Sequence, residues 1–207
     1  MASILIYGDS NTHGTGPLER LGTSLRHPPG DRWPDAMAAA LGDGFDVIAE
    51  GLPGRTTVHD DPVEGGNRNG MTVLPAILLS HVPLDLVVLM LGTNDLKQRF
   101  SVSAYEIARS VERLAVETRA LVPGVRVLVL APVPVQEAGC LVDVFAGAEA
   151  RQIGLEAQMH AAADRAGAAF LAAGDHAQVS PVDGVHWAPE THRAFGATMA
   201  DHVRALV

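Results

Sequence analysis

The sequence has little cysteine, little lysine and no long apolar segment. Cys140 is the only cysteine, which excludes an intrachain disulfide and a zinc site built on thiolates. The longest apolar runs, residues 86–91 and 127–135, are far shorter than the ~18 residues of a membrane-spanning helix. The amino terminus has no basic segment of the kind that opens a secretory signal. We therefore expect a cytoplasmic protein without a membrane partner.

Positive charge is also scarce. Lys97 is the only lysine, and 15 basic against 24 acidic residues give a net charge of −9. Nucleic acids and anionic membranes are bound through basic surfaces, so we expect no nucleic-acid partner. Of the 207 residues, 47% are hydrophobic and 19% are charged, which is typical of a globular protein. At ~100–200 residues per domain, this length predicts a single domain over residues 1–207.

Short β-rich segments alternate along the chain with segments of helical periodicity. Strands are predicted at residues 4–7, 46–49, 86–91 and 125–130, with a weaker one at 168–172. Helices are predicted at residues 32–41, 69–81, 102–122, 146–166 and 190–206. This alternation indicates β-α-β units, hence an α/β fold with a parallel sheet. Two long loops, 14–31 and 132–145, are candidates for the binding surface.

Polar, glycine-bearing clusters follow the predicted strands. GDSN occupies residues 8–11, GLPGRT 51–56 and GTND 92–95, and DGVH at 183–186 precedes the last helix. Ligands of open parallel sheets bind beyond the carboxyl ends of the strands. The four clusters are therefore expected to meet at one edge of the sheet.

Ser10 and His186 are candidates for a nucleophile and its base. A serine that starts a helix most often caps it, and it becomes a nucleophile only beside a base and an oxyanion site. Asp183 stands three residues before His186, and Gly184 between them allows a tight turn. A carboxylate folded back onto Nδ1 of the imidazole would leave Nε2 free to act as a base. An Asp-Gly turn before a surface histidine is the alternative.

Asn94 and Gly54 are candidates for stabilising an oxyanion. The Asn94 side chain offers an N–H donor at the end of a strand, and Gly54 offers a backbone N–H that no side chain covers. With the N–H of Ser10 they would give three donors, although both segments also read as ordinary turns. Asp9 and Asp95 are expected to hold their loops by accepting backbone N–H groups.

These four clusters together resemble the SGNH (GDSL-type) hydrolases. GDS, a glycine in the second cluster, GTND and D-x-x-H occur in family order from Gly8 to His186. EGLPGRTT, PLDLVVLMLGTND and DGVHW are similar to the bacterial arylesterase/acyltransferase branch. The resemblance implies a flavodoxin-like three-layer α/β/α sandwich with a five-stranded parallel sheet. It also implies Ser10 as nucleophile, His186 as base and Asp183 as orienting carboxylate, with an oxyanion hole from Ser10, Gly54 and Asn94.

The resemblance further implies a serine esterase that acts on short-chain acyl esters of aryl, simple alkyl or acetylated-sugar alcohols. Transfer of the acyl group to alcohols is implied as a second activity. It implies neither a metal nor another cofactor, and it suggests a homo-oligomer, with an octamer as one family assembly.

The substrate pocket is less well defined by the sequence. Asn11 stands where GDSL has leucine, which alters the packing beside the nucleophile. His13 and Trp187 flank the site in sequence and are expected to shape the pocket, with plain core packing as the alternative. Arg55 is expected to be exposed, either to contact a substrate anion or to join subunits.

Other functions fit the residues less well. A nucleotide- or flavin-binding protein on the same fold is the main alternative, but residues 8–16 do not fit G-x-G-x-x-G, and G-K-[ST] is absent. A metal hydrolase on His59, Asp60 and Asp61, or on Glu190 and His192, lacks the usual ligand spacing. An α/β-hydrolase would need G-x-S-x-G, which does not occur.

Overall fold

A five-stranded parallel sheet organises the protein. The structure, a computed structural model, describes residues 1–23 and 25–207, and Ser24, within the predicted loop 14–31, lies outside the described residues. The strand order is β2-β1-β3-β4-β5, and every neighbouring pair is parallel. The strands are β1 (Ala2–Gly8), β2 (Phe45–Gly51), β3 (Leu86–Met90), β4 (Arg126–Ala131) and β5 (Ala169–Ala172). All five predicted strands are therefore present.

Helices cover both faces of the sheet. They are α1 (Ser10–His13), α2 (Trp33–Leu41), α3 (Gly70–His81), α4 (Ala104–Leu121), α5 (Ala148–Arg151), α6 (Leu155–Ala166) and α7 (Pro189–Leu206). The helices α3, α4 and α6 pack on one face, and α2 and α7 pack on the other. The strand order and the two helical layers confirm the predicted flavodoxin-like sandwich.

The sheet supplies side chains to two separate cores. Along β3, Val87 and Leu89 point into the core beneath α3, α4 and α6, whereas Val88 and Met90 point into the core beneath α2 and α7. All four are buried. Each apolar side chain of this kind contributes roughly 1.5–3 kcal/mol by its burial, which explains why the strands are apolar without alternation.

The single helix predicted over residues 146–166 is wrong, because the chain forms α5 and α6 instead. Gly154 lies between them with φ of +80°, a left-handed conformation that interrupts a helix. Just before it, the Gln152 side chain accepts a hydrogen bond from the Val135 N–H and donates one to the Val135 carbonyl, both at 2.8 Å. This pairing with a distant loop holds the break, and it has no local sequence pattern.

Two helices begin slightly after their predicted starts because the predicted starts included the capping segments. Asn69 accepts a hydrogen bond from the Thr72 N–H at 3.2 Å and so caps α3. Ser103 accepts one from the Glu106 N–H at 3.3 Å and caps α4. Both caps satisfy N–H groups of the first helical turn that have no partner within the helix.

The strand order determines where the polar clusters meet. The chain leaves β1 towards β2 on one side, and β3 lies on the other side of β1. A crevice forms at the carboxyl edge of a sheet where the order reverses in this way. Ser10 directly follows β1 and Asn94 follows β3, so both lie at this crevice.

Candidate active site

Ser10 is the first residue of α1, and its hydroxyl does not cap the helix. The capping carboxylate belongs to Asp9, whose Oδ1 accepts a hydrogen bond from the Asn11 N–H at 3.0 Å. Gly8 keeps the turn tight, since a Cβ there would collide with the Thr12 side chain. The alternative role of Ser10 as a cap is thus taken by its neighbour, and Ser10 lines a cavity instead.

Asp183 and His186 form a close pair at the same edge of the sheet. Nδ1 of His186 lies 2.6 Å from Oδ2 of Asp183. The second carboxylate oxygen accepts the N–H groups of Val185 at 3.0 Å and of His186 itself at 2.9 Å. Gly184 permits this turn with φ of +72°, and a Cβ there would meet the Gln136 carbonyl. The predicted fold-back of the carboxylate onto the imidazole is therefore present.

The surroundings of Asp183 favour its ionised form. The side chain is completely buried, and the Leu18 N–H donates a further hydrogen bond to Oδ2 at 2.7 Å. Burial acts to raise the pKa of Asp183, but the hydrogen bonds and charge of His186 outweigh it and leave the pKa below its usual value. An ionised Asp183 accepts a hydrogen bond from Nδ1–H of His186, which leaves Nε2 unprotonated and able to accept a proton.

The residues that carry the candidate oxyanion donors line the same cavity. Nδ2 of Asn94 donates to the Arg55 carbonyl at 3.1 Å and approaches Oδ2 of Asp9 at 3.4 Å, which fixes the amide. Gly54 has φ of +81°, a backbone conformation that residues other than glycine rarely adopt. Ser10, Gly54 and Asn94 all line one cavity. The structure thus brings together the three residues that the resemblance groups as an oxyanion hole.

The cavity has a volume of about 320 Å³ and is shared by Ser10, Gly54, Asn94 and His186. Among the hydrogen bonds of the described residues, none joins the Ser10 hydroxyl to His186. Apolar side chains form much of the wall: Leu18, Leu21, Pro53, Leu141, Val144, Phe145 and Val185. Polar side chains form the remainder: Thr15, Thr23, Glu64, Arg68 and Lys97. The volume lies at the lower end for ligand pockets, which suits a small substrate.

The prediction that Arg55 is exposed is wrong. Its exposed fraction is 4%, and its guanidinium stands over the Tyr7 ring at 4.1 Å from the centroid. Nη1 donates to the carbonyl of Gly8 at 2.9 Å and also to that of Glu50. Because these carbonyls lie at the ends of β1 and β2, the buried guanidinium of Arg55 joins two strand ends.

Three further residues predicted for the pocket lie outside its lining. Asn11 is buried, and its Nδ2 donates to the Val185 carbonyl at 3.1 Å, so it joins α1 to the histidine loop. His13 has Nδ1 at 3.1 Å from the Thr15 hydroxyl. Trp187 is completely buried in the core beneath α2 and α7. Core packing was the alternative role for both His13 and Trp187, and it is the role that Trp187 has.

The two remaining aspartates of the clusters hold loops, as predicted. Asp9 caps α1, and burial raises its pKa to about 6. Asp95 accepts the Thr57 N–H at 3.0 Å and also its hydroxyl, and burial raises the pKa of Asp95. Both carboxylates therefore position the segments that carry Ser10 and Asn94.

Sequence reasoning missed the charged group beside Gly54. Lys97 is 2% exposed, and its ammonium lies 3.3 Å from Oδ2 of Asp61 and also contacts Glu64. Arg99 lies 2.8 Å from Oδ1 of Asp61. The available signal was the position of the only lysine, three residues after Asn94, but its partners come from a loop more than thirty residues away.

The candidate metal ligands of the sequence do not converge. His59 has its Nε2 3.7 Å from Asp95 and stacks on Phe100, whereas His192 is buried beside Trp187. Within residues 1–23 and 25–207, no group of three or more His, Cys, Asp and Glu side chains is placed to hold a metal ion. Over the same residues, no helix has both the length and the apolar character needed to cross a membrane.

Comparison with known proteins gives one family and several similar structures. The model of the GDSL-like Lipase/Acylhydrolase family matches residues 6–194. A carbohydrate acetylesterase from Sinorhizobium meliloti, Est24, is 40% identical with a TM-score of 0.95, and each chain covers 100% of the other. The inhibitor-bound aryl esterase of M. smegmatis is 34% identical with a TM-score of 0.93, again with 100% coverage of both chains. A search of curated proteins gives no match.

Proposed function

The chain belongs to the GDSL-like lipase/acylhydrolase family and is a carboxylic ester hydrolase, and from this premise we propose that it works through an acyl-serine intermediate on Ser10. In this proposal His186 is the base, Asp183 orients it, and Ser10, Gly54 and Asn94 stabilise the oxyanion. The observation that supports it best is the 2.6 Å pair of Asp183 and His186 beside a cavity that Ser10 shares.

The first half of the reaction acylates Ser10. The Ser10 oxygen attacks the ester carbonyl while its proton passes to Nε2 of His186. The carbonyl electrons move to the oxygen, which the N–H groups of Ser10, Gly54 and Asn94 then stabilise. The carbonyl re-forms, the bond to the alcohol breaks, and His186 returns its proton to the leaving alcohol.

The second half releases the acyl group. A water molecule attacks the acyl-Ser10 carbonyl, His186 accepts its proton, and the ester bond to Ser10 breaks with return of that proton to the serine oxygen. An alcohol in place of water would give a new ester, which is the proposed acyltransferase activity. The apolar wall, with Leu18, Leu141 and Phe145, favours this outcome because it lowers the amount of water near the intermediate.

The proposed substrates are short acyl esters of aryl, simple alkyl or acetylated-sugar alcohols. The cavity volume of about 320 Å³ supports small groups, and the combination of apolar and polar walls supports an alcohol part with hydroxyls or a ring. The similar structures include a carbohydrate acetylesterase and an aryl esterase, which agrees with this range.

Substitution of the nucleophile tests the assignment. Ser10→Ala should abolish hydrolysis of p-nitrophenyl acetate and prevent labelling by a fluorophosphonate probe, while circular dichroism stays unchanged. Ser110→Ala, which changes a serine on α4 outside the cavity, should keep both the hydrolysis and the labelling of the wild type. Undiminished turnover by Ser10→Ala would refute the role of Ser10.

Three further properties belong to the same proposal. Residues 1–207 form one SGNH-hydrolase-like domain, the location is cytoplasmic, and copies of the chain assemble into a homo-oligomer with an octamer as one candidate. Loops 14–31 and 132–145 contribute Leu21 and Leu141 to the cavity, so subunit contacts on these loops would narrow its mouth. Gel filtration with light scattering determines the assembly, and a panel of acyl lengths with excess alcohol measures the balance of hydrolysis and transfer.

A further inference from the structure

Arg68 crosses the oxyanion region without a partner of opposite charge. It lines the cavity with Ser10, and a Cβ built on Gly54 would meet Oε2 of Glu64 and would lie 3.0 Å from Nε of Arg68. Its Nη1 would lie 2.9 Å from a Cβ built on Gly66. The guanidinium therefore lies over two glycines, Gly54 and Gly66, whose missing side chains leave room for it. Nε is shielded from solvent and has no hydrogen-bond partner among the described residues. Buried polar groups are normally satisfied, so the described residues leave this guanidinium with an unused donor.

The neighbouring charges are already paired with one another. Glu64, the carboxylate of the cavity lining, contacts Lys97 and lies 3.5 Å from Arg99, and both cations also contact Asp61. Within the described part of the chain, no carboxylate oxygen lies within 4.0 Å of the guanidinium of Arg68. Two carboxylates therefore face three cations, and the remaining positive charge is that of Arg68.

The positive charge of Arg68 also acts on Arg55, the residue after Gly54. Burial lowers the pKa of Arg55. The coulombic effects of Tyr7, Glu50 and Asp9 oppose that shift, and the positive charge of Arg68 adds to it. The field of Arg68 thus reaches the segment that contains Gly54, at the end of the cavity where the ester carbonyl is proposed to bind.

We propose that Arg68 is a specificity-determining residue that binds a carboxylate of the substrate, so that the enzyme prefers esters carrying an anionic group near the ester bond. A guanidinium suits this task because its planar N–H fork matches a carboxylate in two parallel hydrogen bonds. The inference rests on the proposed function, since it places the ester at Ser10. It narrows the substrate class to acidic esters, such as acetylated acidic sugars or acetoxybenzoates.

The kinetic test compares 3- and 4-acetoxybenzoate with the neutral 3- and 4-acetoxybenzamides, each of which matches the benzoate of the same substitution in shape. Wild-type enzyme should show the larger kcat/KM for at least one benzoate. Arg68→Gln should reduce the ratio of benzoate to benzamide about 10- to 100-fold, the usual effect of losing a hydrogen bond to a charged group. Arg68→Lys should restore part of it, because the charge returns without the fork. Arg113→Gln makes the same charge change on exposed α4 and should keep the wild-type ratio.

A binding measurement separates this inference from the proposed function. Calorimetry of 4-acetoxybenzoate with Ser10→Ala and with Ser10→Ala/Arg68→Gln should show a loss of affinity of about tenfold or more in the double variant. Equal ratios in wild type and Arg68→Gln, or equal affinities in this pair, would overturn the role of Arg68 and leave Ser10 unaffected. Turnover by Ser10→Ala would instead overturn the nucleophile, whereas the calorimetric pair would still judge Arg68.

Discussion

Each catalytic candidate depends on a neighbour that holds it in place. Asp9 caps the helix that begins with Ser10, and the Leu18 N–H and the turn at Gly184 fix Asp183. The Asn94 amide is fixed by the Arg55 carbonyl, which itself follows Gly54. These contacts hold the start of α1, the Asp183 carboxylate and the Asn94 amide in place before substrate binds.

The Asn94 amide is proposed to act on the transition state. Asn94→Ala should lower kcat about 10²- to 10³-fold and change KM little, because the oxyanion exists only after attack on the carbonyl. Steady-state kinetics with p-nitrophenyl acetate measures both constants. Asn67→Ala, an exposed asparagine outside the cavity lining, serves as the control and should behave as wild type. A raised KM at constant kcat would show that Asn94 binds substrate in its ground state.

At the scale of elements, buried charges join segments that the sheet alone does not connect. The short 3-10 helix Asn94–Leu96 ends at Lys97, whose ammonium reaches Asp61 in the loop after Gly54. The side chains of Lys97 and Asp61 are 3% and 0% exposed. The pair therefore lies where an unpartnered carboxylate is costly, and it connects two of the segments that carry the proposed oxyanion donors.

Lys97→Met should destabilise the fold by about 3 kcal/mol, because it leaves Asp61 buried with Arg99 as its remaining cation. Urea denaturation followed by fluorescence measures the free energy of unfolding. The comparison is Arg113→Met, which breaks the exposed pair with Glu117 and should cost about 0.5 kcal/mol or less. Equal losses in the two variants would contradict a structural role of the buried pair.

The element boundaries show what local patterns can and cannot predict. All five strands were predicted because a strand buried on both faces is apolar along its whole length. The division of residues 146–166 into α5 and α6 was missed, since Gln152 holds the break through Val135, seventeen residues away. Periodicity measures the face a segment buries, and it contains no information on such a partner.

At the scale of the whole molecule, a buried histidine makes the stability of the fold depend on pH. His192 on α7 is completely buried, with Nδ1 accepting the Trp33 N–H at 3.3 Å and its ring 5.2 Å from that of His27. Burial, with the charges of His27 and His186, lowers the pKa of His192 from 6.5 to about 3. The folded state therefore keeps His192 neutral at mildly acidic pH, whereas the unfolded chain binds a proton there.

Stability should fall as the pH decreases from about 6 towards 4, since protonation then favours the unfolded chain. The contribution of His192 is about 1.4 kcal/mol per pH unit in that range. His192→Asn keeps an acceptor for the Trp33 N–H but does not titrate, so its free energy of unfolding should depend less steeply on pH. His202→Asn, on the same helix, retains His192 and should keep the wild-type slope. Parallel slopes for wild type and His192→Asn would contradict this coupling.

The sequence by itself determined the layered α/β fold, the order of the strands' polar clusters and the residues that meet at the sheet edge. Those properties follow from local apolar patterns and from the rule that parallel strands end together. Tertiary structure decided the burial of Arg55, the removal of Asn11, His13 and Trp187 from the cavity wall, and the position of Arg68 over Gly54. These features depend on contacts between residues far apart in the chain. The charge and size of a side chain do not predict whether it lines the cavity or donates hydrogen bonds to the carbonyls at the end of a strand.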